Sequence, residues 1–184
     1  MPDSNITKKA LAEAMKSLMA REPFTKISVG DICAECGMNR KSFYYHFRDK
    51  YDLVNWIFYT EFAEAVAQGS DGSADRFLTD ACHYFYDNRF FYGSALKVEG
   101  QNSFSEYFGE VLQPILMEHF REIYDSGGCR KEHAYFYAEF WSDAFLASLK
   151  RWLGAKDPMP PEEYLGIILS LKRDVAEHII ESSE

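Results

Sequence analysis

The sequence predicts an all-α protein. Apolar side chains recur three and four residues apart along most of the 184 residues, and helix-capping residues, glycines and prolines interrupt those stretches. No run alternates apolar and polar residues over a length that would indicate a strand. A hydrophobic content of 47% is ample for a packed core.

The first element is an amphipathic helix over residues 6–20. Leu11, Met15 and Leu18 lie on one face at helical spacing, and Pro23 requires the helix to end before it. The N-terminal part of the chain is therefore predicted to begin with a single amphipathic helix.

Two short helices and a long one follow, each with its own start signal. Ser28 and Asp31 have the spacing of a capping box, and Gly37 closes the helix that they open. Asn39 is a good N-cap for a second short helix that runs to about residue 47. Asp49 caps a long helix that extends to about residue 67.

The remaining chain reads as four further helices, over 74–88, 103–125, 131–153 and 161–181. Residues 68–73 (Gln-Gly-Ser-Asp-Gly-Ser) form the clearest loop, and glycine-rich or proline-rich stretches separate the last three helices. Pro114 lies inside the second of the four and predicts a kink there.

The two short helices, joined by a tight turn at Gly37, form a helix-turn-helix. In that motif the first helix braces against the DNA backbone and the second enters the major groove. Arginine and lysine donate to guanine edges or phosphates, whereas serine and tyrosine hydroxyls contact phosphates. Phe43 and Phe47 are four residues apart and can face inward. The predicted DNA-binding residues are Ser28, Asn39, Arg40, Lys41, Ser42, Tyr44, Tyr45, His46 and Lys50.

The charge distribution agrees with a DNA-binding N-terminus. Residues 1–50 carry nine Lys/Arg against six Asp/Glu, a net charge of +3, whereas the remaining residues carry −12. Together these give the overall −9. An acidic body repels nucleic acid, so a polyanion-binding surface is expected only in the N-terminal part.

The four cysteines leave two interpretations open. Cys33 and Cys36 form a C-x-x-C, but no second pair follows that would complete a zinc site. Packing of small buried thiols is the favoured interpretation, and a redox or metal role is the alternative. No metal and no cofactor are predicted.

The residues around the motif resemble the DNA-binding signature of TetR-type transcriptional regulators. Gly37, the Phe43-Tyr44 pair, Phe47 and the Lys50-x-x-Leu53 spacing all match that signature, and the resemblance covers residues 6–57. Departures are conservative; cysteines, for example, replace the usual alanines. Further features, among them the proline and phenylalanine after the first helix, resemble the DhaS subgroup, whose namesake activates dihydroxyacetone kinase genes.

The resemblance implies two domains, residues 1–52 for DNA binding and residues 53–184 for effector binding and dimerisation. It implies a homodimer on a pseudo-palindromic operator of double-stranded DNA, released by a small-molecule effector, with repression as the usual mode. Activation of the DhaS type with a partner protein is an alternative, and so is an interaction module without DNA binding. An enzyme is not expected, since no catalytic motif is found.

Two further residue sets follow from that domain organisation. Dimerisation is expected through the last two helices, where an apolar stripe runs along the final one; the predicted interface residues are Ala144, Tyr164, Ile168, Leu171, Val175 and Ile179. An aromatic effector pocket is also predicted, with plain core packing as the alternative, because aromatics at helical spacing are more often core. The candidate pocket residues are Phe62, Phe85, Phe108, His119, Phe140 and Trp141. No signal peptide and no membrane span is recognised, so a cytoplasmic protein is expected.

Overall fold

The computed structural model describes the backbone of residues 2–67, 74–98, 100, 102–125 and 131–181. Side chains are described there except at 2–3, 63–67, 74, 119, 122–124, 131–132, 172 and 174–181. The described residues form nine α-helices and one 3-10 turn and contain no strand, so the all-α prediction is confirmed. The helices are α1 (Pro2–Met19), α2 (Val29–Glu35), α3 (Arg40–His46), α4 (Lys50–Ala67), α5 (Ala74–Asp87), α6 (Arg89–Ala95), α7 (Phe104–Asp125), α8 (Lys131–Gly154) and α9 (Pro161–Glu181); the turn is Phe24–Lys26.

The predicted capping signals form as expected around α2. The backbone amide of Ser28 donates to Asp31 Oδ2 over 2.8 Å, and the Asp31 amide donates to Ser28 Oγ over 3.2 Å. At the other end Gly37 has a φ of 68°, a left-handed conformation that glycine adopts without a steric penalty. The Met38 amide donates to the carbonyl of Cys33 and the Gly37 amide to that of Ala34, which is the Schellman pattern of helix termination.

The caps of α3 and α4 were also predicted. Asn39 Oδ1 accepts from the Ser42 amide over 2.8 Å at the start of α3. Asp49 Oδ1 accepts from the amides of Tyr51 and Asp52, at 2.8 and 2.9 Å, at the start of α4. Because each cap links residues two or three positions apart, the local sequence alone sets these boundaries.

Helix α6 was not predicted. Its preceding residue Asn88 makes no side-chain capping bond, and Gly93 lies within its seven residues. Tertiary packing compensates for the weak local signal, because Phe91, Tyr92 and Ala95 are buried. The predicted loop at 68–73 and the predicted turn at 126–129 lie outside the described residues.

The chain divides into two compact units. Unit 1 comprises Met1–Glu64 and Asn88–Tyr107, and unit 2 comprises Ala65–Asp87 and Phe108–Glu184. Helix α6 therefore belongs to the same unit as the helix-turn-helix. The functional boundary predicted at residue 52 is a different kind of division and stays a prediction.

Unit 1 has an aromatic core that includes the first half of α4. Phe58 is buried, with its ring centroid 5.3 Å from that of Phe104 and 6.1 Å from that of Tyr92. The side chains of Lys16 and Glu61 form an ion pair between α1 and α4. These contacts hold the N-terminal helices to residues near position 100.

Unit 2 is built on aromatic contacts between α5, α7, α8 and α9. Phe85 and Phe108 are fully buried and meet edge to face, with their centroids 4.9 Å apart. Trp152 of α8 stacks on Tyr164 of α9 at 4.0 Å and 6°. Burial raises the pKa of the nearby Cys82 thiol to about 12, which keeps that thiol protonated and chemically inert.

No helix in the described part of the chain has the length and apolarity needed to cross a membrane.

Candidate nucleic-acid interface

Helix α3 is anchored by two buried phenylalanines. Phe43 is fully buried and Phe47 nearly so, and their ring centroids are 5.8 Å apart. Phe47 also meets Trp56 of α4 edge to face at 5.7 Å. The inward direction predicted for this pair is what the structure has. A short helix of seven residues is marginal by itself, so this packing fixes its orientation.

The opposite face of α3 is open to solvent. The Tyr45 side chain is 80% exposed and that of Tyr44 is 58% exposed, which is unusual for such large aromatic rings. Lys41 is exposed on the same short helix, and His46 is half-buried with its ring edge-on to Tyr45 at 4.9 Å. A cation beside two exposed phenols matches the donor set that contacts DNA phosphates.

Three of the predicted DNA-binding residues take part in helix capping, two of them as N-caps. Ser28 belongs to the capping box of α2, and its hydrogen bonds hold the pKa of Asp31 below the usual value. Asn39 accepts from both the amide and the hydroxyl of Ser42, at 2.8 and 3.2 Å. These side chains therefore have structural partners within unit 1, and their DNA contacts stay a prediction.

Arg40 folds back over α2. A Cβ added to Gly30 would lie 2.5 Å from Arg40 Nη2 and 3.3 Å from its Cζ and Nε atoms. The missing side chain of Gly30 thus makes room for the guanidinium against the first turn of α2. The positive charge also contributes to the lowered pKa of Asp31. Sequence reasoning missed Gly30, since only the three-dimensional proximity gives it a role.

Lys50 points into unit 1. Its Nζ donates to the carbonyls of Phe24 and Ile27, each at 2.7 Å, and approaches that of Thr25 at 3.4 Å. The Phe24 ring lies 4.4 Å from the ammonium. Burial lowers the pKa of Lys50. The phosphate contact predicted for this residue has no support in these contacts and stays untested.

Arg48, which was not predicted, is a further exposed cation two residues after the end of α3. Its side chain is 82% exposed and its Nε lies 3.7 Å from Asp52 Oδ2. An ion pair this exposed is weak, so the guanidinium is available to an anion. In the sequence, its position one residue after the Phe43–Phe47 pair is the signal that could have identified Arg48 as a DNA-binding candidate.

Comparison with known proteins identifies the family. A family model described as "Transcriptional regulator C-terminal region" matches residues 73–174, more than half of the chain, and one described as "Bacterial regulatory proteins, tetR family" matches residues 8–57. The chain belongs to the TetR family. It is a transcriptional regulator with a DNA-binding helix-turn-helix, and its family consists of transcription factors rather than enzymes.

One curated relative and two solved structures define the similarity further. The chain is 33% identical over 110 residues to the HTH-type dhaKLM operon transcriptional activator DhaS of Lactococcus lactis subsp. lactis (strain IL1403); the match spans 59% of this chain and 57% of the relative. A structure of the dihydroxyacetone kinase operon activator DhaS superposes with a TM-score of 0.64 at 22% identity over 97% of this chain and 98% of that one. A TetR regulator from Streptococcus agalactiae 2603V superposes with a TM-score of 0.69 at 24% identity, over 92% and 95%. The two structures show the shared fold.

The residues predicted for the effector pocket of this TetR-family protein do not all share one environment. Phe85 and Phe108 are buried in contact within unit 2, whereas Phe140 is 57% exposed on α8 and Trp141 is half-buried. Phe62 is buried in unit 1, where it stacks on Phe58. The His119 side chain lies outside the described residues. The pocket stays a prediction.

The residues predicted for the dimer interface also differ in exposure. Ala144 and Leu171 are exposed, and Ile168 is half-buried. Tyr164 is buried in its own subunit, where its hydroxyl donates to Ser148 Oγ over 2.9 Å. The side chains of Val175 and Ile179 lie outside the described residues.

Exposed apolar residues form two pairs, in which Leu171 was assigned to the interface by the sequence and the other three residues were not. Phe136 and Phe140 of α8 stack at 6.2 Å, and Ile167 accompanies Leu171 on α9. Each pair is four residues apart and therefore lies on one face of its helix. We call these four residues the apolar pairs of α8 and α9.

Among the described residues, no group of three or more His, Cys, Asp and Glu side chains could hold a metal ion. Cys33 is buried and Cys36 half-buried, and both are free thiols. Burial raises the pKa of Cys33, which agrees with the packing interpretation of the C-x-x-C.

Proposed function

We propose that this TetR-family protein is a ligand-responsive repressor that binds a pseudo-palindromic operator as a homodimer. The observation that carries the DNA-binding part is the outward face of α3. Lys41, Tyr44 and Tyr45 are exposed there, while Phe43 on the other face is fully buried. The buried face fixes the helix, and the exposed face presents hydrogen-bond donors to the major groove and to the phosphates of DNA.

Enrichment of genomic fragments by the purified protein tests operator binding. The wild-type protein is expected to enrich a short palindrome, and Tyr45→Ala is expected to weaken binding to every sequence by a similar factor. Tyr59→Ala is the matched control, because Tyr59 is also a solvent-exposed tyrosine, 65% exposed, but on α4. Equal enrichment by all three proteins would contradict a role for the α3 face, and no enrichment at low salt would contradict operator binding.

The dimeric state is supported by the apolar pairs of α8 and α9. Four large apolar side chains, each about half exposed or more, are costly to leave in water, and a second copy of the chain would cover them. Two-fold interfaces are self-complementary, so one patch suffices for both protomers. We propose that these pairs contact the partner subunit together with the predicted Ala144, which lies one turn after Phe140 on α8.

Light scattering of single variants tests the interface. Phe140→Asp is expected to convert a dimer into a monomer, because it places a charge in the centre of the proposed contact. Ile6→Asp is the matched control, since Ile6 is 64% exposed on α1 and lies in the other unit. A dimer that persists in Phe140→Asp, or a wild-type protein that is monomeric at micromolar concentration, would contradict this interface.

Effector binding within residues 53–184 completes the proposal. Phe85 and Phe108 meet in the buried interior of unit 2, and aromatic side chains are typical of the lining of pockets for apolar or planar ligands. A panel of small molecules is expected to contain some that raise the thermal midpoint of the protein and release the enriched DNA. Stabilisation without release of DNA would contradict control by that ligand.

A second candidate function is activation, and the similarity to a relative named as a transcriptional activator favours it. In that case the protein would act with a partner protein, and binding would raise transcription. Transcription in vitro from a template carrying the enriched palindrome separates the two. A decrease on adding the protein supports repression, and an increase supports activation.

A further inference from the structure

The contacts of Lys50 are a feature that operator binding does not yet explain. Lys50 is the first residue of α4, and its ammonium reaches carbonyls that lie 23 to 26 positions earlier in the chain. An ammonium has three N–H donors. Two are engaged at 2.7 Å by the carbonyls of Phe24 and Ile27, and the third approaches that of Thr25.

Two aromatic rings also lie near the ammonium. The Phe24 ring lies 4.4 Å from Nζ and the Tyr51 ring 5.8 Å from it, and these two rings meet edge to face at 5.2 Å. Aromatic faces at these distances favour a cation. A phosphate could be reached only if Lys50 gave up at least one carbonyl.

The carbonyls that Lys50 holds belong to the segment that leads into α2. Ile27 is buried and directly precedes Ser28, the N-cap of α2. The amide of Phe24 donates to Ser94 Oγ of α6 over 3.3 Å. Lys50 therefore joins the start of α4 to the start of the first helix of the helix-turn-helix, in a turn that is also fastened to α6.

We propose that Lys50 is a positioning residue, which orients α2 through the turn Phe24–Lys26 and does not contact a phosphate. The proposal rests on the operator binding proposed above. The helix that it orients is the one that braces the motif against the DNA backbone. A loss of the ammonium should therefore reduce operator affinity while leaving the number of ionic contacts with DNA unchanged.

The salt dependence of binding separates positioning from phosphate contact. Lys50→Met removes the ammonium and keeps a long unbranched side chain, and Lys41→Met is the matched control at an exposed lysine of α3. The probes are a duplex with the sequence most enriched by the wild-type protein and a duplex of random sequence. For a dimer, the loss of one phosphate contact per protomer makes the slope of log affinity against log salt less negative by about 1.8.

Lys50→Met is expected to bind the enriched duplex about tenfold more weakly, the size of effect given by losing one charged hydrogen bond, with the wild-type salt slope. Lys41→Met is expected to show the shallower slope. A slope in Lys50→Met as shallow as in Lys41→Met would overturn the proposal in favour of a phosphate contact. Unchanged affinity, measured where the variant is fully folded, would also overturn it, since the residue would then only stabilise the fold.

Hydrogen exchange tests the same inference without DNA. In Lys50→Met the amides of residues 26–32 are expected to exchange faster, whereas Lys41→Met leaves them unchanged. Unchanged exchange in Lys50→Met would overturn the positioning role. If the wild-type protein bound neither duplex at low salt, operator binding itself would fail, and this measurement would still decide whether Lys50 holds the turn.

Discussion

Replacing Gly30 with alanine tests whether the place of Arg40 depends on the missing side chain. The new Cβ would lie 2.5 Å from Arg40 Nη2, where an ordinary contact is about 3.5 Å or more, so the guanidinium must move by about 1 Å. The far end of an arginine side chain moves at little cost. The backbone of α2 is therefore expected to accept the alanine.

The sign of the stability change follows from that. Alanine in a helix is favoured over glycine by about 0.5–1 kcal/mol, and the lower value applies near a helix start. For a chain of this size about 0.5 kcal/mol raises the thermal midpoint by about 1–2 °C. Gly37→Ala is the matched control at the other end of α2. Its φ of 68° penalises a Cβ by about 1–2 kcal/mol, so its midpoint should fall.

DNA binding of Gly30→Ala should change although its stability does not fall. Arg40 would leave its place over α2, and discrimination is expected to change at one base pair per half-site, by up to about 1–3 kcal/mol if a bidentate guanine contact is involved. The assay is selection of duplexes by Gly30→Ala with and without Arg40→Ala. The reasoning is refuted if Gly30→Ala lowers the thermal midpoint, or if it changes the selected sequence equally in the Arg40→Ala background.

Three further predictions concern side-chain hydrogen bonds. Asn39→Ala should lower the free energy of unfolding by about 1 kcal/mol in urea titrations, because the Ser42 amide loses its cap; no change would mean that the cap is not stabilising. Hydrogen bonds from Ser28 lower the pKa of Asp31, so the ionised carboxylate stabilises the fold above pH 3.8, the ordinary pKa, and this contribution is lost as the pH falls through the lowered pKa of the folded protein. Asp31→Asn should therefore lose less stability than the wild-type protein in acid unfolding titrations. Parallel losses in the two proteins would contradict this. Tyr164→Phe should cost about 0.5–1.5 kcal/mol by calorimetry for its hydroxyl bond, and an unchanged midpoint would refute that contribution.

The starts of α2, α3 and α4 and the end of α2 could be predicted because they depend on neighbours in sequence. The caps at Ser28, Asn39 and Asp49 each bond an amide two or three residues away, and Gly37 supplies the left-handed conformation at the same turn. Such signals need no knowledge of the fold. Helix α6 lacks a side-chain capping bond and depends on burial for its stability, so the local sequence contains no capping signal that would predict it.

The role of Lys50 could not be predicted for the opposite reason. From the sequence it is a lysine beside a helix N-terminus, next to a run of other DNA-binding candidates. Its partners Phe24 and Ile27 are 26 and 23 residues away, and only folding brings their carbonyls to the ammonium. Arg40 is similar, since Gly30 has a function only once α2 and α3 are packed.

In α9, neighbouring positions differ in whether their side chains are buried or exposed. A stripe that begins at Tyr164 and continues through Ile168 was predicted to be the dimer surface, but Tyr164 packs under Trp152 within its own subunit. Ile167, which directly precedes the half-buried Ile168, is 55% exposed. One residue turns a helix by about 100°, so a stripe broad enough to include both faces cannot distinguish the core from an interface.

The turn Phe24–Lys26 connects the local and the distant parts of unit 1. Its chain direction is set locally, by Pro23 and by the 3-10 hydrogen bonds, but its position is set by Lys50 of α4 and Ser94 of α6. A displacement of either helix must therefore strain the segment that leads directly into the cap of α2. Substitutions at this turn should consequently alter DNA binding without touching DNA, whereas substitutions on the outer face of α3 should alter it while leaving stability unchanged.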